Sequence, residues 1–262
     1  MRWSGLRLSV TLLTVIPLRT PAPGQPGADP VRPATVGAAM TWAPAVGLLL
    51  GVLASAVLVV ADHPLGAGPL TAAGLAIVAL ALLTRGLHLD GLADLADGLG
   101  SGKPAAITLD IMRRSDIGPF GIVTLVLTLV IQVAALAHAE AAGGGRGPAA
   151  LIAAAVTGRL ALTWACRRGV AAARPDGLGA LVAGTVRPVV AAVITLTVLA
   201  AVSVAGVGFT LPLAVVTGLA AAFVLQRHAV RRLGGITGDV LGALIETAAT
   251  VTLVVAAMGP RA

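Results

Sequence analysis

Residues 66–87 read GAGPLTAAGLAIVALALLTRGL, and residues 88–98 that follow read HLDGLADLADG. The first run carries one charge, Arg85, and is long enough to cross a bilayer at about 20 residues per helical span. The second places Asp90, Asp94 and Asp97 within eight residues of a chain that has only 11 acidic residues. At about 100° per residue, spacings of four and seven put all three carboxylates on one helical face, within roughly 60° of arc. The flanking Leu89, Leu92, Ala93, Leu95 and Ala96 are apolar, so this is no ordinary solvated helix face. An apolar span that gives way to an acidic stripe predicts polar chemistry at a membrane boundary. Three carboxylates so close raise one another's pKa unless a cation lies between them. Oxygen donors of this kind favour a hard divalent ion, Mg2+ first, with a phosphorylated molecule for it to hold.

The rest of the chain fits a membrane setting. Hydrophobic residues make up 57% and charged residues 11% of the sequence, and mean hydropathy is +0.98. A soluble domain cannot bury that much apolar surface, so the fold class is all-α, a polytopic transmembrane helical bundle. Seven segments are long enough to span: Thr35–Ala61, Gly66–Leu87, Gly118–His138, Pro148–Cys166, Pro188–Gly208, Phe209–Leu225 and Val240–Met258. Gly206, Gly208 and Pro212 predict a tight turn between the fifth and sixth. The N-terminal run Leu6–Ile16 is interrupted by Arg7 and followed by Pro17, Arg19, Pro21 and Pro23 instead of a small-residue cleavage site. It reads as a retained interfacial or re-entrant helix. Residues 1–262 thus form a single integral-membrane domain, with its longest inner loop over about residues 88–117.

Three Trp, three Phe and no Tyr leave almost no aromatic belt. Small residues at Gly47/Gly51, Gly234/Gly238 and Gly238/Gly242 predict close helix packing. The single Cys166 excludes an intrachain disulfide and a cysteine-based zinc site. With the N-terminus inside, Arg2, Arg7, Arg19, Arg32, Arg85, Lys103, Arg113 and Arg114 fall on the inner side. So do Arg167, Arg168, Arg174, Arg187, Arg227, Arg231 and Arg232, leaving only Arg146 and Arg261 outside and Arg159 within a span. This is the positive-inside pattern. It also accounts for the net charge of +7 through inner loops and anionic lipid headgroups, with no nucleic acid required. Most acids fall on that same side; only Asp62 and Glu140 lie outside, and Glu246 is within the last span. The chemistry is therefore expected to face the cytoplasm.

Other polar groups are candidates for the same site. His88 suits a base, a partner to an acid, or a plain interfacial role. Gly98–Pro104 fails the Walker pattern, since Pro104 stands where Ser or Thr is needed. Arg113 and Arg114 share a loop with the acids and suit a phosphate clamp. Arg159, near mid-span, needs a partner: either Glu246 or a phosphate at the end of a polar cavity. Gly234-Gly-Ile-Thr-Gly-Asp239 allows close backbone approach, with Thr237 or Asp239 as helix cap. Asp239 and Glu246, seven apart, share a helical face. His63, His138 and His228 lack metal-ligand spacing and read as structural.

Taken together, four blocks resemble the adenosylcobinamide-GDP ribazoletransferase family, also called cobalamin (5′-phosphate) synthase. They are His88–Gly98; Ile111-Met-Arg with Ser115 and Gly118; Arg174 with Gly177-Leu-Gly179; and Gly234–Ala243 followed by Glu246. The chain departs from the family at Met112-Arg-Arg-Ser-Asp116, where the family usually reads Met-Arg-Asp-Ser-Arg, and at Thr14-Val-Ile-Pro17, where it often has Thr-Arg-x-Pro. The resemblance implies an enzyme that transfers the adenosylcobinamide-phosphate moiety of adenosylcobinamide-GDP to α-ribazole or its 5′-phosphate, with GMP leaving and Mg2+ required. It implies catalytic and metal roles for Asp90, Asp94 and Asp97, with His88 beside them. It implies substrate contacts from Arg113, Ser115, Arg159, Arg174, Thr237, Asp239 and Glu246. The expected setting is the bacterial inner membrane, among lipids and with a homo-oligomer left open. Three other readings compete, of which a non-catalytic membrane scaffold would not explain four polar blocks on one side. A cation transporter would trace its acids across the membrane, whereas these gather at one face. A CDP-alcohol phosphotransferase of lipid synthesis would have Arg where Asp94 follows Ala93.

Overall fold

The computed structural model describes residues 2–16, 32–114, 116–204 and 209–258. Arg19, Ser115, Arg261 and the turn glycines Gly206 and Gly208 lie outside them. Among the described residues eleven helices run in order: α1 (Arg2–Leu13), α2 (Pro33–Asp62), α3 (Pro69–Leu83), α4 (Leu87–Gly100), α5 (Ala105–Ile111), α6 (Pro119–Ala141), α7 (Arg146–Ala165), α8 (Gly177–Val182), α9 (Pro188–Val204), α10 (Thr210–Leu233) and α11 (Gly238–Ala257). Five of them, α2, α6, α7, α10 and α11, are long and apolar enough to cross a membrane, and six if α3 and α4 count as one bent span, fewer than the seven expected: over Pro188–Gly208 the described helix, α9, has only 17 residues. The protein is a multi-pass helical membrane protein, as the sequence predicts. Proline starts α2, α3 and α6 at the first helical turn, where its missing N–H has no intrahelical acceptor to lose and its fixed φ suits the helix.

The second expected span, Gly66–Leu87, is not one straight helix. It ends at Leu83, and α4 leaves at 88° to α3 after a three-residue corner. Arg85 (φ 56°) and Gly86 (φ 67°) adopt left-handed backbone there, and Arg85 is the only non-glycine residue to do so among those described. A helix cannot continue through two such residues. The acidic stripe therefore sits on a separate helix turned sharply from α3, one that is not among the five long and apolar enough to cross alone. At the other boundary, α10 runs eight residues past the expected Leu225 and ends at Gly234 in the left-handed region (φ 84°). That extension carries Arg227, Arg231 and Arg232 beyond the apolar body.

α7 is the axial helix; nearly every residue from Ala150 to Ala165 is buried. Alanine and glycine there let neighbours approach to backbone contact. A Cβ on Gly47 of α2 would meet Ala155 O at 2.5 Å, and one on Gly51 would meet Ile152 Cα at 2.9 Å. Gly158 does the same against Ile245 O of α11, at 2.9 Å. The predicted Gly47/Gly51 seam is thus real. α1 is docked along α2, with Gly5 against Ala38 and Val10 and Leu13 buried. Val15 N donates to Leu83 O, tying its end to the α3 corner.

Candidate active site

α4 lies against α11 through two glycines. A Cβ on Gly91 would come within 2.8 Å of Asp239 O, and one on Gly242 within 3.1 Å of His88 O. These close approaches bring the acidic face of α4 beside the N-terminus of α11. Asp90 and Asp239 consequently line one cavity. The block around Arg174 is laid on the same place. Ile236 N donates to Ala171 O and Ala173 N to Ile236 O, while Gly179 packs on the backbone of Ile236 and Thr237. Three of the four sequence blocks converge here because their glycines face backbone.

Each acid has a different setting. Asp90 is exposed and Asp94 is half-buried. Burial first, then the charges of Asp90, Asp239 and Asp97, push the Asp94 carboxyl up to about 7, with Arg174 pulling the other way. Asp97 is buried and accepts from Gly118 N (2.7 Å) and Gly121 N (2.9 Å). It therefore caps α6 from a neighbouring helix, satisfying two N–H groups that a helix start leaves open. Asp239 accepts from the Thr237 hydroxyl at 3.2 Å, and the same hydroxyl caps α11 by accepting from Val240 N. Of the two cap candidates in the sequence, Thr237 holds the role.

The basic residues divide between the rim and the interior. Arg113 makes a two-pronged pair with Asp176 at 2.8 and 3.1 Å, both exposed. This pair ties the second block to the third. Arg174 donates to Leu109 O, leaves Nε without a partner, and faces Asp94 and Asp239. Arg159 is 4% exposed, deep in α7. Its NH2 lies 3.4 Å from His88 Nδ1, and its Nε is unpartnered. A guanidinium can only donate, so Nδ1 accepts and the neutral imidazole carries its proton on Nε2. Glu246 shares a small cavity of about 30 Å3 with Arg159 and Gln132. It accepts from Gln132 at 2.9 Å, and no Arg159–Glu246 pair closes within 4 Å among the described residues.

The acids on α4 do not close into a tight cage. Among the described residues the one trio of metal-capable side chains within 4.8 Å is Asp62, His63 and Glu140, at the far ends of α2 and α6. There His63 Nε2 lies 3.6 Å from Glu140 and Nδ1 lies 4.0 Å from Asp62, so the imidazole bridges two acids. On the acidic face of α4 the donors of Asp90 and Asp94 are carboxylate oxygens, and among the described residues Arg174 is the cation set against Asp94. That under-neutralised oxygen set fits a hard cation. Sequence reading missed Asp176 as the partner of Arg113, although it stands two residues from Arg174. It also missed the apolar wall that α1 lends to the site, which has no signature in a run of leucines.

The profile of cobalamin-5-phosphate synthase matches residues 5–257. A relative from Frankia casuarinae, named adenosylcobinamide-GDP ribazoletransferase, is 46% identical over 96% of this chain and 94% of its own. Relatives of the same name from Bradyrhizobium diazoefficiens (38% identical; 97% of this chain, 93% of the relative) and a Nocardioides species (39%; 94% and 95%) agree along the same length. No solved structure matches.

Proposed function

The chain belongs to the cobalamin-5-phosphate synthase family and is a transferase of cobalamin nucleotide-loop assembly; we propose that the α4–α11 junction is where it joins adenosylcobinamide-GDP to α-ribazole or its 5′-phosphate. The carrying observation is the meeting of Asp90, Asp94 and Asp239 with Arg174 at one end of the bundle. Attack at phosphorus asks for positioning and charge control more than for a covalent intermediate on the protein. The ribose hydroxyl of the acceptor attacks the phosphorus nearer the corrinoid. The P–O bond to the second phosphorus breaks, and GMP departs with the electron pair. Asp239, held by Thr237, takes the hydroxyl proton. Arg174 is placed to meet a phosphate oxygen. Asp90 and Asp94 are the residues that would hold Mg2+, which supplies charge neutralisation to the diphosphate when bound. Asp97 positions α6 beneath them. Arg159 acts through His88, since it lies too deep to reach a diphosphate at the rim. The positive-inside asymmetry supports a cytoplasmic site in the bacterial inner membrane.

The test uses the full chain in detergent with adenosylcobinamide-GDP, α-ribazole and Mg2+, following GMP by mass spectrometry. Metal-dependent GMP formation that Asp94→Asn abolishes is the expected result. Activity that survives both Asp94→Asn and chelation overturns the site.

A further inference from the structure

A second feature of this junction is a cavity of about 180 Å3 directly behind the acids. Its apolar walls come from six helices: Leu12 and Leu13 of α1, Met40 of α2, Leu87 of α4, Leu162 of α7, Leu178 of α8 and Ile245 of α11. Among the described residues, His88, Asp90 and Asp239 form its polar edge. Apolar cavities of about 150 Å3 stay dry and take a benzene-sized guest. Guanine would leave its amide and amino groups facing leucine, with unmade hydrogen bonds. A corrin ring is far larger than the space. What fits is a flat aromatic base poor in polar groups, attached to a sugar whose hydroxyls stay at the acidic edge. His88 has Nε2–H left to offer, one donor for one ring nitrogen.

Resting on the transferase reading above, we propose that this cavity seats the aromatic base of the acceptor nucleoside, so that its ribose hydroxyl is delivered to Asp239. The guest enters with its apolar end first, between α1 and α8, and the donor stays outside at Arg174. α1 is thereby part of the acceptor site.

Leu12 is half-buried on α1 and Leu178 is exposed on α8, so larger side chains at either position can fill the cavity without opening the core. Direct titration of α-ribazole into the detergent-solubilised protein, with no donor present, reads occupancy apart from turnover. The expected result is binding to the wild type that Leu12→Phe and Leu178→Trp weaken by about tenfold, with guanosine unable to compete. In turnover, acceptor KM rises by a similar factor and donor KM stays within about twofold. Equal binding by wild type and both variants, or a rise confined to donor KM, overturns the inference. If α-ribazole binds as described but no GMP forms with any donor, the cavity stands and the transferase reading fails; GMP formation without a response to either variant is the reverse.

Discussion

Asp94 and Asp97 stand three residues apart on α4, and their environments give them separable duties. Asp97 gives both oxygens to the start of α6. Asp97→Asn should lower the melting temperature, at a cost of about 1 kcal/mol for the weakened cap, while Mg2+ binding changes little. Asp94→Asn should do the opposite: Mg2+-dependent turnover is lost and the fold is kept. The pH response follows from the direction of the Asp94 shift, from an ordinary 3.8 up to about 7. A carboxyl that holds its proton more tightly folded than unfolded contributes stability at low pH. That contribution is lost as pH rises from about 4 through 7. Metal-free protein should therefore melt progressively lower between pH 5 and 7.5, Asp94→Asn should flatten the slope, and Mg2+ at pH 8 should restore the wild type. Deeper in the bundle, Arg159 and His88 form one unit. Arg159→Lys and His88→Ala should each lower kcat by about tenfold or more, and the double variant should lose little beyond either single one.

At the scale of helices, glycines place the chemistry. Gly91→Ala should wedge α4 from α11, because the new methyl meets Asp239 backbone at 2.8 to 2.9 Å. Overpacking of that kind costs about 1–3 kcal/mol, and activity should fall further than the melting temperature suggests, since Asp90 and Asp239 move apart. Gly74→Ala on α3, where nothing lies within 4 Å, is the control and should be neutral or slightly stabilising. How much of this was legible beforehand differs by element. Apolar run length marks where α2, α6, α7, α9, α10 and α11 lie. The α3–α4 corner was hidden because Thr84-Arg85-Gly86 reads as an ordinary span end, while the backbone reversal depends on what α4 packs against. Asp90 and Asp94 were visible as a stripe. The diversion of Asp97 was not, because its partners are backbone N–H groups more than 20 residues away.

Over the whole molecule, two apolar cores divide the bundle. One surrounds the α4 end of α2, α7 and α11, and the other fills the end where α2 hands over to α3. The acids of the proposed site gather above the first, and the Asp62–His63–Glu140 bridge closes the second. Between these ends, α3 has only 15 residues, a rise of about 22 Å. The hydrocarbon of a typical bilayer is about 30 Å thick. α3 is long and apolar enough to cross only when counted together with α4, from which it is bent by 88°; if α3 carries the crossing, lipids beside it compress to cover it, at a fraction of a kcal/mol per Å, and the compressed patch adjoins the corner that launches α4. Acyl-chain length is then expected to act on turnover. In vesicles of matched headgroup, turnover should slow as the lipid chains lengthen, and α3 extended by one apolar turn should shift the optimum toward thicker membranes.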